Sequence, residues 1–312
     1  MTQSWIRTVG RRRATSLAAL ALIGSAAAGN VEAQRLRASD GRSRIDTTFA
    51  FDRRGAVSLS VGVGTIIVRG STRSDIQVHA TSDNDNVRLD VSPARVTLDL
   101  VRARGGDTRF EVTVPQGVRI VARVGSGSIS IRGTKGEVEV HAQSGDVEVE
   151  DVAGRLDVNA FSGDLRARTV VGDVEVGMLS GNIELDDVRG NVDVHTTSGD
   201  IRLRNTTSKL VRARTTGGSV LYSGVVDPAG RYDFVTHSGD LSLAIPQDVS
   251  AQLTIATWSG EIDSDFPMTL KPGEHGIGST TTKRFTFDLG GGAARITAES
   301  FSGDITIRRA GR

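Results

Sequence analysis

Apolar and polar residues alternate along most of the chain, and the alternation returns with a fixed period. From Gly127 to Gly199 a glycine occupies every ninth position. The second and fourth residues after each glycine are apolar almost throughout, as Val147 and Val149 are after Gly145, and the residue between them is mostly charged. Alternation of this kind is typical of a strand with one buried face, and glycine at its end suits a tight turn. The pattern predicts a run of short strands bounded by glycines.

A longer period of 18 residues contains the first one. Ser-Gly followed by Asp, Asn or Ser begins at Ser126, Ser144, Ser162, Ser180 and Ser198. Two strands per period, with no helix-forming stretch between them, predict an all-β parallel β-helix, or β-solenoid, with about 18-residue two-strand coils. A third apolar position, seven residues after the glycine, is expected to fill the corners: Val152, Phe161, Val170, Leu179 and Val188. The alternative is a β-sandwich of sequential hairpins, since nine-residue spacing also suits a meander.

Looser copies of the repeat flank this region. The segment from Gly62 to Gly70 echoes the segment from Gly125 to Gly133 almost residue for residue, and Ser-Gly-acid motifs return at Ser238, Ser259 and Ser302. No linker separates these segments. We therefore predict one solenoid domain over residues 45–312, most regular at 125–205.

The N-terminal residues have a different character. Arg11, Arg12 and Arg13 precede a short apolar stretch from Leu17 to Ile23, and small residues follow up to Ala33. This is the pattern of a secretory signal peptide, and its apolar part is too short to span a bilayer. We predict a signal peptide at 1–33, a flexible segment at 34–44, and an exported protein that does not span the membrane. The periplasm, the cell surface and the medium remain open as its location.

Composition excludes several classes of protein. The chain has no cysteine, which rules out a disulfide-stapled module and a cysteine protease. Lys and Arg number 38 against 37 Asp and Glu, so no basic surface suggests a nucleic-acid partner.

The motifs together carry a resemblance. Val112-Thr-Val-Pro-Gln-Gly117, the Ser-Gly-Asp ladder, Thr257-Trp-Ser-Gly260 and the ending from Ala298 to Ile307 resemble the bacterial β-strand-repeat adhesin-like family, a domain family of unknown function. The resemblance covers roughly 45–312. It implies an exported or surface β-solenoid and supplies no catalytic residues.

Residues 18 apart would stack about 4.8 Å from one another on adjacent strands, so outward positions form columns. One column is acidic throughout: Glu139, Asp157, Glu175 and Asp193. Like charges directly opposite each other are unfavourable. Solvent and salt, a divalent cation or a basic partner surface would have to compensate, which makes this column a candidate partner-binding face.

A turn column raises the question of calcium. It contains Asp146, Asp164, Asn182 and Asp200, whose oxygen atoms would suit that ion. The glycine pattern of calcium-binding nonapeptide repeats is missing, and Asp or Asn beside glycine commonly bonds the backbone of a turn. We therefore predict a structural role here, with a calcium site at Asp146, Asp164 and Asp200 as the alternative, and no cofactor.

No catalytic constellation is visible. The chain has no Gly-x-Ser-x-Gly elbow, and its carboxylate pairs belong to the repeating columns. Tyr222, Tyr232 and Trp258 lie in the irregular C-terminal coils and form the candidate ligand patch, with core packing of Trp258 as the alternative. An enzyme acting on polysaccharides is the less favoured interpretation.

Two functions of different kinds follow. The first is an exported, non-catalytic, adhesin-like binding module whose partner is an envelope polymer, a glycan or a protein. The second is a structural element that self-associates end to end, since a solenoid with exposed final strands can stack.

Overall fold

The computed structural model of the protein describes residues 43–83, 86–102, 106–267 and 283–310. These residues contain strands and no helix, so none of the described part could cross a membrane as a helix. The predicted signal peptide lies outside the described residues, as does the segment up to residue 42. The strands are β1 (Ser43–Ala50), β2 (Ala56–Ser71), β3 (Asp75–Ser82), β4 (Asn86–Ser92), β5 (Arg95–Arg102), β6 (Thr108–Pro115), β7 (Arg119–Arg132), β8 (Val138–Ser144), β9 (Val147–Val152), β10 (Leu156–Ser162), β11 (Leu165–Val171), β12 (Val174–Ser180), β13 (Ile183–Arg189), β14 (Val192–Ser198), β15 (Ile201–Gly217), β16 (Val220–Ser238), β17 (Leu241–Ile245), β18 (Ala251–Ser259), β19 (Ile262–Ser264), β20 (Lys283–Leu289), β21 (Ala294–Ser302) and β22 (Ile305–Arg309).

The repeat forms a parallel solenoid, as predicted. β10 pairs in parallel with β8 and β12, and β11 pairs in parallel with β9 and β13, each with an offset of 18 residues. Strands that follow one another in this region therefore lie in opposite sheets, so the alternative of sequential hairpins is wrong. Burial alternates along each strand, and Val138 and Val140 are buried while Glu139 between them faces outward.

Two sheets enclose the core. The first sheet has the order β4, β5, β2 (56–63), β7 (119–126), β8, β10, β12, β14, β15 (210–217), β16 (231–238), β21, β18 and β20. The second sheet has the order β1, β3, β6, β2 (64–71), β7 (127–132), β9, β11, β13, β15 (201–208), β16 (220–226), β17, β22 and β19. The strands β2, β7, β15 and β16 continue from one sheet into the other.

The N-terminal end contains an excursion. β2 stacks directly on β7, with Ile66 opposite Ile129 and Arg69 opposite Arg132. The sequence echo between these two segments therefore reflects direct stacking, although 63 residues separate them. The strands β3 to β6 lie between them in sequence and extend the solenoid outward, ending in the antiparallel strands β1 and β4. β1 begins at Ser43, two residues before the predicted domain start.

The C-terminal end is out of sequence order. β21 pairs with β16 on one side and with β18 on the other. β22 in the same way lies between β17 and β19. The last coil of the chain is thus inserted between two coils that precede it, and antiparallel β20 forms the outer edge of the first sheet.

The corner positions correct one prediction. Val152, Val170 and Val188 are buried at the end of strands in the second sheet, but Phe161 is 60% exposed and Leu179 is 41% exposed. In the first sheet the alternation runs unbroken, so Ala160 and Met178 take the inward places. In the second sheet one residue per coil has a left-handed conformation, at Asp151, Thr169, Asp187 and Asn205. That residue shifts the alternation by one position and turns the following valine inward.

The turn glycines are required by close stacking. Gly163 has φ of 120°, and a Cβ atom there would lie 2.2 Å from the carbonyl oxygen of Gly145 in the preceding coil. The same approach recurs at Gly181 and Gly199. Glycine at this position therefore allows successive turns to lie directly on one another.

Candidate functional site

The acidic column forms as predicted but is neutralised by its own neighbours. Asp157 lies opposite Glu139 and Glu175, and Glu175 lies opposite Asp193. Basic or amide side chains contact every member: Arg119 at 2.9 Å from Glu139, Asn159 at 2.7 Å from Asp157, Arg155 at 2.5 Å from Glu175 and Arg212 at 3.3 Å from Asp193. A cation or a basic partner is not needed to offset the repulsion.

Glu139 is the most strongly held member of this column. A hydrogen bond with His141 at 2.7 Å, and a second one from Arg119, lower the pKa of its carboxyl group. Arg119 and Arg155 each precede their glutamate by 20 residues, two more than one coil. Sequence reasoning that followed only the 18-residue columns missed these diagonal partners.

The turn column serves the backbone. The Oδ1 atom of Asp146 accepts a hydrogen bond from the backbone N–H of Asp164 at 3.0 Å, and Asp164 does the same for Asn182 one coil later. Asn182 accepts from Asp200, and Asp200 accepts from Ser219. These bonds account for the column as a chain of turn caps. Among the described residues no group of three or more His, Asp or Glu side chains is close enough together to hold a metal ion.

Two members of the predicted ligand patch lie in the core. Tyr222 and Tyr232 are each 1% exposed, because both occupy inward positions of β16. Their hydroxyl groups donate to backbone carbonyls, from Tyr222 to Val225 at 3.2 Å and from Tyr232 to Ser208 at 2.6 Å. Burial raises the pKa of both hydroxyls. The prediction that they line a surface patch is therefore wrong.

Trp258 lies on the surface instead of in the core. It is 41% exposed and stacks on Phe301, which is 47% exposed, with 5.7 Å between ring centroids. His237 stacks on the other face of Phe301 at 4.7 Å, and the ring planes of this pair differ by 12°. We call these three residues the aromatic strip. Each directly precedes the Ser of a Ser-Gly turn and points outward from adjacent strands of the first sheet.

Sequence reasoning missed Phe301 and His237. Phe301 is 43 residues from Trp258 and comes between the other two rings only because β21 is inserted between β16 and β18. The available signal was their shared position next to Ser238, Ser259 and Ser302.

A shallow groove of about 580 Å³ runs beside the aromatic strip. Its other lining includes His195, Arg214, Arg284 and Glu299. Arg284 pairs with Glu299 at 2.6 Å, and Arg214 pairs with Asp233 at 2.7 Å. The groove therefore combines an apolar wall of rings with polar groups whose charges are already balanced.

Buried hydroxyl groups support the strip from below. Thr236 donates to the carbonyl of Gly218 at 2.9 Å, and Thr257 and Ser300 bond turn carbonyls in the same way. These residues alternate with the outward rings, so the backbone under the strip is fixed by turns on the adjacent coils. A rigid surface of this kind binds without a large cost of ordering.

The fold and this surface define a class of protein: a two-sheet parallel β-solenoid with an exposed aromatic strip near one end. The sequence matches the Toastrack DUF4097 family over residues 55–308, and the chain belongs to that family. This confirms the family resemblance seen in the sequence motifs.

Solved structures similar to the chain have little sequence in common with it. A putative adhesin from Parabacteroides distasonis is 12% identical with a TM-score of 0.41, and the match covers 85% of this chain and 97% of that chain. A putative adhesin from Parabacteroides merdae is 13% identical with a TM-score of 0.35, covering 85% and 95%. A putative cell adhesion protein from Clostridium sporogenes is 10% identical with a TM-score of 0.27, covering 86% and 100%. No curated protein sequence matches the chain.

Proposed function

We propose that the protein is an exported, non-catalytic, adhesin-like module that binds a glycan of the cell envelope along the aromatic strip. The observation that carries this proposal is the exposed stack of His237, Phe301 and Trp258 beside a groove with balanced charges. Exposed contiguous apolar surface on a soluble domain commonly marks an interaction site.

The chemistry of the groove favours a neutral polyol. Ring edges can contact the apolar C–H groups of a sugar, and the guanidinium groups and His195 can bond its hydroxyl groups. Because Arg214 and Arg284 already have carboxylate partners, the groove does not require a charged ligand. Its lining extends over adjacent strands from β14 to β20, spaced about 4.8 Å apart, which suits an extended chain.

A glycan-binding assay with matched variants tests this function. We expect the wild-type protein to be retained on purified envelope polysaccharide and Trp258→Ala to lose most of that retention. Leu179→Ala is the control, because Leu179 occupies the equivalent outward position and is also 41% exposed, yet lies outside the groove. Equal retention of Trp258→Ala and wild type would disprove the role of the strip, as would binding to peptides alone.

Export rests on the N-terminal sequence pattern. We expect protein recovered outside the cytoplasm to begin at Gln34, and N-terminal sequencing checks this directly. Recovery of the uncut chain from the cytoplasm alone would contradict export.

A further inference from the structure

The N-terminal end of the solenoid leaves apolar side chains half covered. β4 pairs only with β5, and β1 pairs only with β3, so each has a free edge among the residues that the structure describes. The inward side chains on these two strands are only partly buried: Ile45, Phe49, Val87, Leu89 and Val91. At the other end, Phe287 and Leu289 on the edge strand β20 are buried. The N-terminal end is therefore the less completely covered of the two.

The sequence of β4 is complementary to itself. About Leu89 it reads symmetrically as polar, apolar, charged, apolar, charged, apolar and polar, with Arg88 and Asp90 on either side of the centre. In an antiparallel pair of two such strands centred on Leu89, Arg88 would lie opposite Asp90 of the second copy, and the reverse pair would form as well. Directly opposite residues share a face, so Val87 would meet Val91 on the inner side.

Asp90 is available for this contact. Its side chain is 63% exposed and lies 3.4 Å from Arg88 of its own strand. Arg88 itself is held in the outward direction by Asp99, whose Oδ1 accepts from its Nε at 2.9 Å. The two charges are therefore already presented on the face where the partner charges would arrive.

The second edge is compatible with the same arrangement. An antiparallel pair of β1 strands centred on Thr47 would set Ile45 opposite Phe49 of the second copy, on the inner side. Asp46 would lie opposite Thr48 and Arg44 opposite Ala50, so no like charges would meet.

We propose that two copies of this chain join head to head at their N-terminal ends through antiparallel pairing of β4 with β4, assisted by β1. The resulting dimer has two-fold symmetry and extends both sheets across the junction. It differs from open end-to-end stacking, because the same end is used on both copies and the assembly closes at two. It also goes beyond the glycan proposal, since the aromatic strip lies in the C-terminal coils and stays free in both copies.

Sedimentation of the purified exported protein over a range of concentrations tests the dimer. We expect a concentration-dependent dimer for wild type and a monomer for Asp90→Arg, which would place arginines opposite one another. Asp248→Arg is the control, because it makes the same charge change at an exposed turn far from β4 in sequence and should leave the dimer intact.

A charge-exchange pair separates this result from a folding defect. The double variant Arg88→Asp, Asp99→Arg keeps the internal ion pair with reversed charges. It also sets a carboxylate at position 88 against Asp90 of a second copy, so this variant should be monomeric alone. Mixed with Asp90→Arg it should form a heterodimer. A wild-type protein that stays monomeric, a dimer that survives Asp90→Arg, or a mixture that remains monomeric would each overturn the proposal.

Discussion

Single residues with positive φ decide which side chains reach the core of the second sheet. Asp151, Thr169, Asp187 and Asn205 have φ of 54°, 55°, 53° and 52° at equivalent places in successive coils. Asp and Asn tolerate this conformation, whereas a β-branched side chain is strained in it. Alternation in the sequence predicted the buried valines and isoleucines, but it could not show that one extra residue per coil reverses the order in one sheet only. The prediction for Phe161 and Leu179 is wrong for that reason.

Replacing Thr169 by asparagine is expected to stabilise the protein. Thr169 is exposed, so the change removes strain without removing buried contacts. We expect the free energy of unfolding to rise by roughly 1 kcal/mol, measured by urea denaturation. Thr297→Asn is the control: Thr297 lies inside β21 without a positive φ, where asparagine should lower stability. A fall in stability at both positions would contradict the strain.

The strands depend on caps at their turns as well as on pairing within the sheets. Each turn carboxylate or amide of the Asp146 column accepts a backbone N–H from the next coil. The spacing of these residues predicted the column and its preferred structural role. It did not show that the bonds run between coils, because turn propensity alone favours a bond within one turn. The aromatic strip was harder still to predict, since β21 reaches its place out of sequence order.

Removing one cap tests this element directly. Asp164→Ala leaves the N–H of Asn182 without its side-chain acceptor and should lower the free energy of unfolding by about 1 kcal/mol. Asp164→Asn retains an acceptor oxygen, as Asn182 does in the next coil, and should stay close to wild type. Thermal melting with calcium and with a chelator completes the comparison. A calcium-dependent rise in melting temperature that Asp164→Asn abolishes would contradict the structural role.

At the scale of the whole molecule, the chain closes its C-terminal end with its last residues. β21 and β22 join the coil of β16 and β17 to the coil of β18 and β19, and they hold both in the solenoid. The 18-residue period predicted the regular middle of the molecule, because each coil there contacts its sequence neighbour. It could not predict the insertion, since a lengthened repeat does not reveal which strand its residues will join.

Truncation after Gly292 should therefore do more than remove a terminal coil. β18 would lose its parallel partner, and the segment from β18 to β20 would retain only its antiparallel pairing. We expect limited proteolysis to cut the truncated protein within residues 246–292 while the repeat at 125–205 stays resistant. Resistance of both regions would show that the inserted coil does not hold the C-terminal end together.

The insertion also has a consequence for biosynthesis. A ribosome releases the chain from its N-terminus, so β16, β17 and β18 are complete before the residues that join them have been made. The regular coils can stack progressively as they emerge, each on the one before it. The final part of the solenoid has to wait for the stop codon, and the surface that carries the aromatic strip is assembled only after the last strand has been released.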